Sequence, residues 1–466
     1  MTDFFTLMKS ELVVTAIIFF LLFLKIGRGI KNELLLSLIQ LLLLVNFIIG
    51  FFFNKEGSLF GDMFHTNPLI VFQKNILNLA VYLISLLCSG WLRKSRQLAE
   101  FFILMLSALL GMFLMISSGN LLIFYLSLEL ATIPVAAMAN FDLEKKRSSE
   151  GAMKMILSSA FSSGILLFGI SLLYGATGTL SFSEIPQHLD GTSSLQILSF
   201  VFLVTAFAFK LSVVPFHLWT ADVYEGSPIA ATAFLSVVSK GAVAFIFMTA
   251  LYKVFQPMQE VWYSMLVILA ITTMVTGNLF ALRQQNIKRF IAFSSIAQVG
   301  FILVGMSSND TSGITAVVYF VLIYVFSNLG AFGVAAVISE SSGKENINDY
   351  KGLYKTNPFL GWMLALALFS LAGIPPTAGF FGKIFLLTAG GSKGSYAFIT
   401  IAALNMVVSL YYYLRVIRAI FMEKNDTPIA KIKIGSPEML GLLICGAGIV
   451  LVGLLNWIYD YIHALS

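Results

Sequence analysis

Fourteen apolar runs of about twenty residues follow one another along this chain, separated by short polar stretches, and no other feature limits its fold so severely. A run of that length crosses a hydrocarbon layer only as a helix, because each backbone N–H and C=O must find its partner inside the segment. The runs predict spans near 11–25, 33–53, 70–92, 98–117, 120–141, 149–175, 195–219, 228–252, 261–282, 289–306, 313–339, 358–388, 395–422 and 438–463. The first run has no small-residue cleavage site and only Lys9 ahead of it, so a retained helix is expected, not a signal peptide. With 58% hydrophobic and 11% charged residues, no stretch remains for a soluble domain. The fold class is an all-α polytopic membrane protein.

The polar residues exclude redox chemistry in the chain itself. Cys88 and Cys445 lie in apolar runs far apart and read as small core side chains, whereas an iron–sulfur cluster needs about four thiolates. His65, His188, His217 and His463 fall in loops or near span ends, not as paired axial ligands. No metal or cofactor site is expected, and any electron chemistry belongs to partners.

Loop charges orient the spans. Odd-numbered connections carry Lys25, Arg28 and Lys31; Arg93, Lys94 and Arg96; Lys145, Lys146 and Arg147; Arg283, Lys288 and Arg289; Lys344, Lys351 and Lys355; and Arg415, Arg418, Lys424, Lys431 and Lys433. The opposite side has only Lys9, Lys55, Lys74, Lys253 and Lys393. Lys and Arg near span ends collect on the cytoplasmic side, so both termini should face outward. The net charge of +6 is then a property of loops that meet anionic headgroups of the lipid bilayer, and needs no nucleic-acid partner.

Five ionisable residues sit within the apolar runs: Glu129, Lys154, Lys210, Lys240 and Lys383. A charge at the centre of a spanning helix costs about 2.5–3.5 kcal/mol on insertion scales, so such groups are paired or used. Glu129, ahead of Pro134, has nothing basic on its own span. Lys210, near Pro215, is its natural partner, and separating the two would favour release of the lysine proton toward Lys240. A static buried pair is the structural alternative. For Lys154 two readings stand together: a relay group, or a side chain that snorkels to the cytoplasmic interface beside Glu150. Tyr411, Tyr412 and Tyr413 read as an interfacial aromatic belt, with Arg415 at the cytoplasmic end.

Two spans carry a shared frame, F-x-L-x-x-[VI]-P: Phe209 to Pro215 in span seven and Phe369 to Pro375 in span twelve. Five spans separate them, and an odd number reverses orientation, as in an inverted repeat. Spans four to eight (98–252) would mirror spans nine to thirteen (261–422), preceded by a three-helix segment (1–97) and followed by span fourteen (423–466). Proline inside each frame frees backbone groups, which at membrane depth only protein or a wet cavity can satisfy. Ser227-Pro228 reads as an N-cap and first helical proline opening span eight, with Asp222 and Glu225 at that terminus or at the entrance of a path.

The run from Lys210 to Pro228, KLSVVPFHLWTADVYEGSP, resembles the signature of the antiporter-like subunits of proton-pumping NADH:quinone oxidoreductase, complex I. The resemblance continues in Leu126 to Leu130, Ser239-Lys240, Gly373 to Lys383 and Leu410 to Arg415, and so covers about residues 98–420. It implies a fourteen-helix subunit with helices 7 and 12 broken and one proton pathway across the bacterial inner membrane. Glu129 would be the charge-pairing glutamate, Lys210 the lysine of broken helix seven, Lys240 the connecting lysine, Lys383 the terminal lysine and Lys154 the helix-six lysine. His217 would relay protons between Lys210 and Lys240, or simply cap a chain end. Ala221 departs from the family's usual proline without touching a titratable group. FMN, iron–sulfur clusters, NADH and quinone would belong to partner subunits, with other membrane-arm subunits as neighbours and the peripheral redox arm reached through them. A multi-protein cation/proton antiporter subunit is the alternative. Against it stand the W-T-x-D-V-Y-E-G-[SA]-P wording, typical of one complex I branch, and the absence after span fourteen of the long lateral helix of one related subunit. A stand-alone transporter would need a second polar cluster to host a solute, which the sequence does not offer.

Overall fold

The computed structural model describes residues 2–27, 30–52, 54–392, 394–455 and 457–466. Arg28 and Lys393, two of the loop bases named above, lie outside the described residues. Among these residues twelve helices are long and apolar enough to cross a membrane, the first being Asn32–Ile49 and the last Ser436–Leu454. A helix at Lys9–Ile26 precedes them, and two shorter apolar helices, Pro358–Ala372 and Ala378–Gly391, fall where span twelve was expected. The chain is thus an all-helical polytopic membrane protein. An antiparallel hairpin pairing Gly57–Leu59 with Phe64–Thr66 is its only named sheet among the described residues.

Helix starts follow local chemistry. Asn67 accepts from the Ile70 amide at 2.7 Å ahead of Pro68, and Asp310 accepts from the Gly313 amide at 2.8 Å, each satisfying an amide that the first turn leaves free. The expected cap at Ser227 is not formed: this helix begins at Ile229, Pro228 occupies the cap position, and the Ser227 hydroxyl has no hydrogen-bond partner among the described residues. Ser227 instead closes the preceding helix, Leu218–Gly226, through its amide to the Val223 carbonyl. Span fourteen is also shorter than expected. It ends at Leu454, Leu455 leaves helical geometry, and a separate helix runs Trp457–Leu465.

The apolar middle of Thr311–Ser342 is buried all round and that of Ile287–Met306 nearly so, which makes them the axis of the bundle. Helices approach closely where glycines allow it: a Cβ on Gly111 would lie 2.5 Å from the Ala131 amide nitrogen, and one on Gly277 would lie 2.6 Å from that of Ala297.

The tightest approach of this kind joins the two short helices. A Cβ on Gly379 would lie 1.8 Å from the Ser370 carbonyl oxygen, a backbone atom that cannot swing aside. Gly379→Ala should therefore destabilise the chain by about 2 kcal/mol or more and lower its yield from the membrane, read by thermal unfolding and native gels. Gly164→Ala, whose Cβ meets nothing within 4 Å, should leave both unchanged.

Candidate functional site: a row of buried lysines

Both proline frames are helix breaks. Ser194–Leu211 stops and Leu218–Gly226 resumes, and Pro358–Ala372 stops before Ala378–Gly391. Each first half ends on a left-handed residue, Ser212 (φ 64°) and Gly373 (φ 86°). The next amide reaches back over the end: Val213 to the Ala208 carbonyl at 2.8 Å, and Ile374 to the Phe369 carbonyl at 3.0 Å. By these landmarks the breaks correspond one residue out of step with the sequence frame, because the turn is placed by the residue that takes positive φ, not by the first proline. Each break also holds one cis bond, Val214–Pro215 and Pro375–Pro376.

Lys210 lies in the last turn before the first break. Its Nζ donates to Thr132 Oγ1 at 2.6 Å and Ser159 Oγ at 2.8 Å. The Glu129 carboxylate, one turn from Thr132 on Leu121–Ala139, accepts from Ser163, one turn from Ser159 on Lys146–Thr177. The expected partners are therefore set about one helical turn apart, each bound to its own hydroxyls and not in ion-pair contact. The break itself is well satisfied: the Val214 amide donates to Thr273 Oγ1 at 3.1 Å, and the Trp219 indole donates to the Phe209 carbonyl at 3.2 Å. His217 is buried beside the break, near the Phe280 ring, with neither ring nitrogen in a hydrogen bond among the described residues.

Lys240 is buried directly after a π-helical turn, Phe234–Ser239. It donates to Ser295 Oγ at 2.8 Å and sits 5.6 Å above the Tyr224 ring. Lys383 is also buried and lies behind the second break. Its ammonium donates to the carbonyls that the break frees, Leu371 at 2.7 Å and Ala372 at 3.2 Å, and faces the Phe301 ring at 4.7 Å. A buried hydrogen-bonded chain runs from Lys383 toward Lys240 and stops one residue short of Ser295. Ser294, next to Ser295, pairs with the Tyr413 hydroxyl; Gln298 donates to that hydroxyl at 3.0 Å and to the Leu371 carbonyl at 2.9 Å, which Lys383 shares.

Tyr412 and Tyr413 thus correct the reading of a tyrosine belt. Both are fully buried, Tyr412 donating to Asn278 Oδ1 at 3.0 Å, and only Tyr411 faces outward. Consecutive helical residues point about 100° apart, so one of three can meet lipid while the others enter the bundle. Lys154 is not with the other lysines. It is half-exposed and pairs with Glu150 and Asp222, each at 2.7 Å, within a surface network in which Arg289 bridges Asp222 and Glu225. Asp222 and Glu225 are therefore anchors of basic side chains. Arg415 caps a helix end through the Leu282 and Gln284 carbonyls. The hydroxyls and amides around the lysines were not singled out from the sequence, although Ser294, Ser295 and Gln298 share one face of an otherwise apolar span. Lys74 was placed among loop bases, yet it is buried against Glu11 at 2.6 Å. No group of three or more His, Cys, Asp or Glu side chains able to hold a metal occurs among the described residues.

Residues 118–409 match the family described as NADH:quinone oxidoreductase/Mrp antiporter, TM. The chain is 44% identical over 457 residues to NADH-quinone oxidoreductase subunit N of Phocaeicola vulgatus, covering 97% of each chain. It is 46% identical over 420 residues to subunit N of Azobacteroides pseudotrichonymphae, covering 89% of this chain and 87% of that one. A chain of respiratory complex I from Thermus thermophilus with bound aureothin superposes with a TM-score of 0.82 at 27% identity, over 96% of this chain and 97% of that one. A chain of the Mrp complex from Dietzia sp. superposes equally well, TM-score 0.83 over 99% and 94%, but at 18% identity it shows only the shared fold. Fold and family together define an antiporter-like transmembrane subunit. The chain belongs to the NADH-quinone oxidoreductase subunit N family.

Tyr413→Phe should remove the link between Ser294 and Gln298, leave buried groups unpaired, and cost about 1–3 kcal/mol of stability. Tyr411→Phe should be neutral in the same thermal unfolding measurement.

Proposed function

We propose that this chain carries one proton pathway of the complex, running through Lys210, Lys240 and Lys383. Its class is that of a proton-translocating membrane-arm subunit of NADH-quinone oxidoreductase, a multi-pass protein of the bacterial respiratory chain. The observation that carries the pathway is the setting of the three lysines. Among the described residues none is in ion-pair contact with a carboxylate, and each ammonium is held by hydroxyls or by carbonyls at a helix break. Such partners hold a proton without locking it, unlike a buried salt bridge.

The proposed architecture is fourteen spans: the twelve long helices, Lys9–Ile26, and the two short helices counted as one broken span. Spans four to eight and nine to thirteen form inverted repeats, supported by the two breaks and by recurrence of the close approach of Gly111 to Ala131 as Gly277 to Ala297. Ser295 then stands in the second repeat where Glu129 stands in the first, two residues before the alanine of each contact. The base-rich loops face the cytoplasm and both termini the periplasm, across the inner membrane. FMN, iron–sulfur clusters, NADH and quinone reside in partner subunits, and neighbouring membrane-arm subunits deliver the redox event as a rearrangement.

That rearrangement shifts Glu129 relative to Lys210. Drawing the carboxylate away leaves the ammonium with hydroxyl partners alone and favours passage of its proton toward Lys240, directly or past His217. From there the proton follows Ser295, the Ser294–Tyr413–Gln298 chain and Lys383. Lys154 sits outside this row and acts as an inner-surface anchor or an entry group.

Lys210→Met in the assembled complex should lower the protons moved per NADH oxidised, measured in reconstituted vesicles. NADH oxidation by a soluble acceptor should persist, since no redox group lies here. An unchanged proton-to-electron ratio would sink the pathway.

A further inference from the structure

Far from the lysine row, two helices that meet at the base-rich end of the bundle leave a groove on its outer face. Pro358–Ala372 begins at that end, Tyr396–Phe421 finishes there, and the two pack against each other. Trp362 and Phe369 from the first, with Tyr411, Leu414, Arg418 and Phe421 from the second, line a space of about 600 Å³. From Tyr411 to Phe421 it runs about 15 Å along the helix, at about 1.5 Å per residue. Trp362 meets the Phe421 ring with centroids 4.9 Å apart, which closes the upper end of the groove with aromatic surface. Trp362 is nevertheless 57% exposed and Tyr411 68%, so the lining is apolar and open.

The mouth carries charge. Arg418 has a side chain 70% exposed, and its one ion pair among the described residues is with Glu423 at 3.5 Å. Glu423 also takes Lys351, at 3.2 Å. Arg415, one turn deeper, adds a second guanidinium, tied to the Leu282 and Gln284 carbonyls. Three cations and one carboxylate thus meet where the groove opens. A soluble anion would answer that charge and leave the apolar floor bare, whereas an uncharged lipid would cover the floor and leave the charge unanswered. A lipid with an anionic head group does both. Guanidinium groups match phosphate oxygens in geometry as well as charge. Trp and Tyr settle at head-group depth, and basic pockets between spanning helices take lipid head groups.

We propose that this groove is a binding site for an anionic glycerophospholipid of the leaflet on the base-rich side. Arg418 holds the phosphate, Arg415 adds to the positive field, and one acyl chain lies along Trp362, Phe369, Tyr411 and Leu414. The same middle stretch of Tyr396–Phe421 presents only exposed Leu404, Val407 and Val408 further from the mouth, where any acyl chain serves.

The test uses the assembled complex in phosphatidylcholine vesicles containing a trace of phosphatidylglycerol with a photoreactive diazirine in its acyl chain. After illumination, adducts on this chain are mapped by mass spectrometry. They are expected on the peptides holding Trp362 to Phe369 and Tyr411 to Leu414, and to be suppressed by excess unlabelled phosphatidylglycerol but not by more phosphatidylcholine. Arg418→Gln should lower them about fivefold, the weight of one basic residue beside an anionic lipid. Lys31→Gln, which removes a base elsewhere on the same side, should not. Leu414→Trp fills the groove with both arginines intact and should prevent labelling. Suppression by phosphatidylcholine as strong as by phosphatidylglycerol, or labelling that survives both Arg418→Gln and Leu414→Trp, reduces the groove to ordinary lipid contact and overturns the site. Displacement of the probe by inorganic phosphate makes it a soluble-anion site and overturns the lipid. Absence of adducts in the groove means that something else covers it and overturns the proposal as well.

Discussion

An ammonium at membrane depth must be surrounded by oxygen, and the arrangement of this subunit follows from where that oxygen comes from. An intact helix has none to spare, since its carbonyls are committed to its own ladder. Breaking a helix frees several at once. Lys383 takes up the carbonyls of Leu371 and Ala372, and the Phe209 carbonyl goes to an indole. Elsewhere serine and threonine on neighbouring helices supply the oxygen instead, as Thr132 and Ser159 do for Lys210, whose own break gives its carbonyls to other donors, and as Ser295 does for Lys240. Lysine, break and hydroxyl are therefore one unit.

The same supply explains the difference between the surface network and the interior row. Lys154, Asp222, Arg289 and Glu225 meet as carboxylates and cations near water, where ion pairs form and dissolve cheaply. Deeper in, hydroxyls and carbonyls replace carboxylates. Glu129 is the exception, set about one turn from Lys210, with the two groups bound to different hydroxyls. That spacing lets its charge be felt by the lysine without trapping it.

Much of this was legible in the residues. Run length was enough for the all-helical spanning architecture, because apolar length is a direct physical requirement of a bilayer. The breaks were legible from proline, though their register was not: which residue adopts positive φ depends on the facing helix, and Ser212 gave no sign of it. Lys74 was misplaced for a related reason. It lies within two turns of a helix start, where sequence cannot separate a snorkelling lysine from one folded inward onto a carboxylate. Tyr412 and Tyr413 show the limit of reading composition, since three identical neighbours on a helix meet three different surroundings. The side chains that link the lysines are common polar residues, and only the packing of Ile287–Met306 against Tyr396–Phe421 brings them together.

The π-helical turn ahead of Lys240 has a further consequence. Such a turn holds one residue more than the regular helix around it and so advances everything after it by about a quarter of a rotation. The direction in which Lys240 points is therefore recorded in the number of residues between Ile229 and Ser239, not in their chemical character. Along that stretch a lineage can exchange one apolar side chain for another with little effect. A single codon gained or lost would preserve the composition and turn the lysine toward a different neighbour.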